Sequence, residues 1–132
     1  MKNIRMGILE SAKPVIVVCT RDRVRAIDFY RDTLGLTMRH EDAFAAVFEA
    51  GTTTIRVAAV PDFTPHEHTM LGFLVSDVDT IVKALTSNGV AFLRLPGFPH
   101  DELGVLSLPG GRGRVAWLKD PDGNILSITD AE

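Results

Sequence analysis

The chain has 132 residues, 45% of them apolar, and its 14 lysines and arginines against 17 aspartates and glutamates leave a net charge of −3. That length suits one domain with its own core, and the small negative charge gives no general attraction to nucleic acid or anionic lipid. No apolar run approaches the ~18 residues that span a bilayer, and a single cysteine, Cys19, excludes an internal disulfide framework and suits a reducing cytoplasm.

The opening residues, MKNIRMGILESAKP, lack an extended apolar core and a small-residue cleavage site, so no secretory signal is expected. KPVIVVCT is short, β-branched and followed by charge, which predicts a buried strand; Cys19, at its end, is expected to be a buried structural thiol. In RDRVRAIDFYRDTLGL, Ala26, Phe29, Tyr30, Thr33 and Leu34 fall on one helical stripe, with Asp22 or Thr20 to cap the start and Gly35 to close the end. Strand-like stretches follow at 37–40, 45–49 and 53–60, the last two joined by a turn at Ala50 and Gly51. Residues 61–68, with two prolines, read as a linker.

The plan then repeats. MLGFLV is a strand, Ser76 or Asp77 caps a second helix striped by Val78, Ile81, Val82 and Leu85, and Asn88 and Gly89 end it. Further strands are expected at 90–93, 105–108, 114–119 and 124–129, with DPDG as the tight turn between the last two. A β-α-β-β-β unit is thus duplicated: module one spans about residues 13–60 and module two about 69–130, inside a single domain of residues 1–132. One unit is too small for a good core, so the expected fold is α+β: two tandem modules forming a cup-shaped mixed sheet with the helices outside.

Three motifs, DRVRAIDFYRDTLGL, VSDVDTIVKALTSNGV and RVAWLKDPDGNILSI, carry a resemblance to the vicinal-oxygen-chelate superfamily of glyoxalases, bleomycin-resistance proteins and extradiol dioxygenases, over about residues 13–130. The resemblance implies a homodimer, and a metal site with one ligand from the first and one from the last strand of each module. Counting back from Asp22 and Asp77 puts the first-strand positions at Val15 and Met70, and aligning the closing strands puts the others at Arg56 and Ser127. Val and Met offer no hard donor, Ser is a poor one and Arg⁺ repels a cation, so no metal cofactor is expected. A divalent metal is the alternative, and His66 and His68, which share one face of an extended segment, are its weak candidate ligands against a reading as solvated linker.

Other residues keep two readings each. Arg56 either points into the cup as a clamp for a carboxylate or phosphate, or sits at a strand edge paired with Glu49 or Asp42. Trp117 is an aromatic wall for a ligand or plain core, and Ser127 can hydrogen-bond a ligand without a base to make it a nucleophile. DPDGN reads as a structural turn held by local backbone bonds. GGRGR leads into a strand and reads as a flexible hairpin tip, and Asp101 with Glu102 reads as solvated charge.

The expected function is metal-independent binding of a small molecule in the cup, of the sequestering or resistance type, by a cytoplasmic homodimer with no nucleic-acid or membrane partner. The alternative is a metal-dependent glyoxalase-like lyase or isomerase, or a dioxygenase. The candidate cup-lining residues are Val15, Arg56, Met70, Trp117 and Ser127.

Overall fold

Alternation of apolar residues makes the strands, and their two faces decide the architecture. The computed structural model describes residues 7–131; the expectation about a secretory signal rests partly on residues 1–6, which lie outside the described residues. In chain order the elements are β1 (Val15–Thr20), α1 (Arg23–Ile27, continued by a wider π-type turn over Asp28–Thr33), β2 (Thr37–Glu41), β3 (Ala45–Ala50), β4 (Thr53–Ala59), β5 (Thr69–Leu74), α2 (Val78–Ser87), β6 (Leu106–Ser107), β7 (Arg114–Lys119) and β8 (Ile125–Thr129).

Each module folds its strands into a four-stranded mixed sheet, in the orders β1-β4-β3-β2 and β5-β8-β7-β6. In both, the first strand runs parallel to the last, because the helix carries the chain back across the sheet, and the remaining pairs are antiparallel. The first strands, β1 and β5, are the edges that meet, so the two sheets lie side by side. Among the described residues no helix is long and apolar enough to cross a membrane.

One face of this double sheet is the core. Val18, Phe48, Ile55 and Val57 of module one and Leu71, Ala116, Leu118, Leu126 and Ile128 of module two form a single buried cluster with Ala26 and Tyr30 of α1 and Val78, Val82 and Leu85 of α2. Both helices begin as expected: Asp22 accepts the Arg25 N–H (3.2 Å) and Asp77 that of Thr80 (3.2 Å). Gly35, at φ 77°, reverses the chain after α1. The π-type widening is unannounced in the sequence; Leu34 N–H reaches the carbonyl of Phe29 (2.9 Å), five residues back.

Two strand expectations need correction. Residues 90–93 form no strand; a single bond from Leu93 N–H to the Trp117 carbonyl (2.8 Å) ties them to β7. The stretch 105–108 narrows to Leu106–Ser107, since the glycines on either side turn the chain away from β7.

The DPDG turn does more than reverse the chain. Gly123, at φ 94°, closes it, and Asp120 accepts the backbone N–H groups of Asp122 and Asn124 (both 2.9 Å), as the local reading requires. The same carboxylates also bind module one. Asp120 accepts the Tyr30 hydroxyl (2.7 Å), Asp122 accepts the Thr20 hydroxyl (2.5 Å) and the Arg21 N–H (2.9 Å), and the Asn124 amide donates to the Cys19 carbonyl (2.9 Å). Burial alone would push the Asp122 carboxyl up, but the bonds from Thr20 and Arg21 outweigh it and hold it below the usual carboxylate range. Burial, then the neighbouring Asp120, push the Tyr30 phenol far above its usual range, so it stays a neutral donor. The turn is a polar clasp between modules.

Candidate functional site

The other face of the double sheet, turned away from the helices, carries the candidate site. Strand alternation assigns it Val15, Val17 and Cys19 from β1, Thr54 and Arg56 from β4, Gly72 and Leu74 from β5, Ser127 from β8 and Trp117 from β7. Register then aligns them. Val17 lies opposite Arg56, and Arg56 opposite Val47; Gly72 lies opposite Ser127, and Ser127 opposite Trp117. With β1 beside β5, the strand order across the seam is β4, β1, β5, β8, β7, so Arg56 lies on one side of it and Ser127 and Trp117 on the other.

The seam is where this face stays open. Val15 and Val17 are each 52% exposed and Leu74 is 59% exposed, whereas Val47 and Val115 on the outer strands are buried. Single exposed apolar residues are ordinary, but three on adjoining strands make a patch. A cleft of about 350 Å³ lies between the β3–β4 turn and β5, lined mainly from the core side of the sheets by Ile16, Ile55, Leu71, Phe73 and Val75, with Gly72 and Leu74 at its rim.

Arg56 takes the ion-pair reading, with Asp42 and not Glu49, though β4 lies inside the sheet and not at its edge. Its guanidinium lies on the open face and pairs with Asp42 (2.9 Å); Glu49 is taken instead by Arg39 (3.0 Å). Asp42 also accepts the N–H groups of Phe44 and Ala45 (both 2.8 Å). The Phe44 amide, then Arg56, then the Ala45 amide hold its carboxyl at about 2. Arg56 is therefore a cation with a fixed counter-ion, its Nη2 already committed.

Ser127 has a different character. It is 7% exposed, and since no fully buried side-chain polar atom among the described residues lacks a partner, its unbonded hydroxyl keeps access to solvent. A Cβ at Gly72 would lie 2.9 Å from the Ser127 Oγ, so the absence of a side chain at Gly72 is what leaves that hydroxyl its position. Trp117, half-buried beside it, meets the edge of the His100 ring with centroids 6.3 Å apart. His100 is itself fixed: its Nε2 accepts the Leu95 N–H (2.9 Å), which leaves Nδ1 to donate to the Gly104 carbonyl (2.8 Å).

The remaining sequence candidates separate. Val15 lies opposite Thr54, one face-step from Arg56. Met70 is half-buried at a register irregularity between Thr69 and Leu71, which takes it out of the pairing, so Gly72 stands beside Ser127. His66 and His68 stack on each other in the exposed linker (centroids 5.0 Å). Among the described residues no three His, Cys, Asp or Glu are grouped to hold a metal ion. The donors at Val15, Arg56, Met70 and Ser127 do not fit one: a hydroxyl and a thioether stand with a guanidinium that repels cations.

Two further readings change. Cys19 is only half-buried, because it points to the open face and not into the core. Asp101 is not simply solvated: it accepts the N–H groups of Leu103 and Val105 (both 2.9 Å) and pairs with Arg114 (2.9 Å). Val17, Gly72, Leu74 and His100 belong to the site's surroundings without having been singled out. Stepping two residues along each strand from Val15 and Met70 would have found the first three.

The sequence model of the Glyoxalase/Bleomycin resistance protein/Dioxygenase superfamily matches residues 14–128. No curated protein sequence matches the chain. Among solved structures it is similar to a bleomycin resistance determinant encoded on transposon Tn5 (TM-score 0.71, 23% identity, covering 91% of this chain and 98% of that one). It is also similar to a lactoylglutathione lyase from Agrobacterium tumefaciens (TM-score 0.69, 18% identity, 90% and 92% covered). A superfamily member from Sphaerobacter thermophilus is similar too (TM-score 0.68, 23% identity, 89% and 94% covered). At such identities these likenesses are of fold alone. The family match spans most of both modules, and with the duplicated sheets it places the chain in the Glyoxalase/Bleomycin resistance protein/Dioxygenase superfamily.

Proposed function

We propose that this protein binds a small molecule on the open face of its double sheet without the help of a metal ion, as a cytoplasmic sequestering or resistance-type protein. The observation that carries the reading is the seam: Val15, Val17 and Leu74 stand exposed between Arg56 on one side and Ser127 with Trp117 on the other. An apolar floor with a few placed polar groups is what affinity for a small molecule requires. A Lewis acid is not required for binding, and the residue types at Val15, Arg56, Met70 and Ser127 do not suit one. A second copy of the chain, laid against the same apolar seam, would close the cup and make the working unit a homodimer. The likeness to a bleomycin resistance determinant supplies the first ligand to try.

The experiment combines metal analysis with ligand-induced stabilisation. Protein purified without a metal-affinity tag is offered Zn²⁺, Ni²⁺, Mn²⁺ and Fe²⁺, dialysed and analysed for metal, then melted with and without bleomycin and a panel of aromatic compounds. The expected result is substoichiometric metal and a melting temperature that rises with ligand concentration by mass action. One tightly held metal per chain, with lyase or dioxygenase turnover lost on chelation, would replace this reading with the metal-dependent one.

A further inference from the structure

On the module-two half of the open face Ser127 stands between two uncharged neighbours, Gly72 and Trp117, and alternation places Lys119 one step further along β7. Ser127 is 7% exposed and its hydroxyl has no partner among the described residues. Among the described residues no fully buried side-chain polar atom lacks a partner, so the Ser127 Oγ keeps access to solvent and is open to a ligand group or a water. On one side of it stands Gly72, with no side chain; on the other stands the Trp117 indole, buttressed by His100. The His100 nitrogens are both used on backbone groups, so the ring is held in place beside the indole. Arg56 lies on the far side of β1 and is already paired with Asp42.

We propose that Gly72, Ser127 and Trp117 form a subsite for the uncharged, planar aromatic end of the ligand, in which the Ser127 hydroxyl makes the orienting hydrogen bond and Gly72 decides whether that hydroxyl is available. The inference rests on the small-molecule reading above and deepens it. Gly72 is the specificity-determining residue because a methyl group there would meet the Ser127 Oγ at 2.9 Å. The hydroxyl is the end of a rotatable side chain, so it swings away and the sheet survives. Trp117 supplies the stacking surface for a ring slid along the row.

The test uses isothermal titration of the full chain with naphthalene, 2-naphthol and 2-naphthoate at pH 7, in wild type, Ser127→Ala, Gly72→Ala and the double variant. Melting curves establish that each variant is folded. The expected result is that 2-naphthol binds most tightly and that Ser127→Ala weakens it roughly 5- to 10-fold, the loss of one hydrogen bond, while naphthalene is unaffected. Gly72→Ala weakens 2-naphthol to the same degree, and the double variant is no worse than either single one, because both remove the same bond. Naphthol binding indifferent to both substitutions, or tightest binding by 2-naphthoate, overturns the subsite and leaves small-molecule binding standing. Binding of none of the three probes, together with no stabilisation by bleomycin or the panel, overturns both.

Discussion

Tyr30→Phe isolates the clasp between the modules. The ring is fully buried and donates its hydroxyl to Asp120 at 2.7 Å, across 90 residues of sequence. Phenylalanine keeps the ring and its packing on Phe48, and removes only the donor. Asp120 loses one of four donors and keeps the Asp122 and Asn124 amides and the Asn124 side chain. A hydrogen bond to a charged acceptor contributes about 1.5–3 kcal/mol. The remaining Asn124 bond to the same oxygen favours the lower half of that range, about 2 kcal/mol. With an unfolding entropy of about 2.1 cal/mol/K per residue, a chain of this length has ~0.28 kcal/mol/K, so the melting temperature should fall by ~7 °C. Urea denaturation should show the midpoint lowered with the slope unchanged, the mark of a stability change without a change in the surface exposed. A loss below ~0.5 kcal/mol would refute the reasoning, since it would mean that the clasp adds nothing beyond the packing of the ring.

Acid titration tests the Asp42–Arg56 pair: the Asp42 carboxyl is held at about 2 against an ordinary 3.8, so its stabilisation is complete above 3.8 and is lost as the pH falls through about 2. Asp122 is shifted the same way, and Asp42→Asn should flatten, without abolishing, the loss of stability measured by circular dichroism between pH 4 and pH 2. His100→Ala removes the two bonds that close the loop over Trp117; a loss of about 1–2 kcal/mol should come with red-shifted emission from this single tryptophan, and unchanged emission would place the loop elsewhere. Thr20→Val should cost about 1–3 kcal/mol by leaving Asp122 without its shortest donor, with a matching rise in hydrogen exchange at the Arg21 amide.

The fold was largely legible because it is written in local signals. The stripes of α1 and α2, the Asp22 and Asp77 caps and the turns at Gly51 and Gly123 each depend on neighbours a few residues away, and their repetition exposed the two modules. Residues 90–93 misled because a short apolar stretch reads as a strand whether or not a partner edge is free to pair with it, and here only Leu93 reaches β7.

The candidate site was legible only in part. Counting from the helix caps found Val15 and Met70 by sequence offset, and alternation does assign Val15, Arg56, Trp117 and Ser127 to one face. The irregularity at Met70 could not be read, because a bulge is decided by the register between β5 and β8.

Read without the structure, then, the chain already specified the modules and their helices, since each is set by short-range periodicity and composition. Tertiary structure alone decided which groups meet: Asp42 with Arg56, Tyr30 with Asp120, Gly72 with Ser127. Those pairings join residues 14 to 90 positions apart, and only the docking of strand on strand and module on module brings such partners within bonding distance.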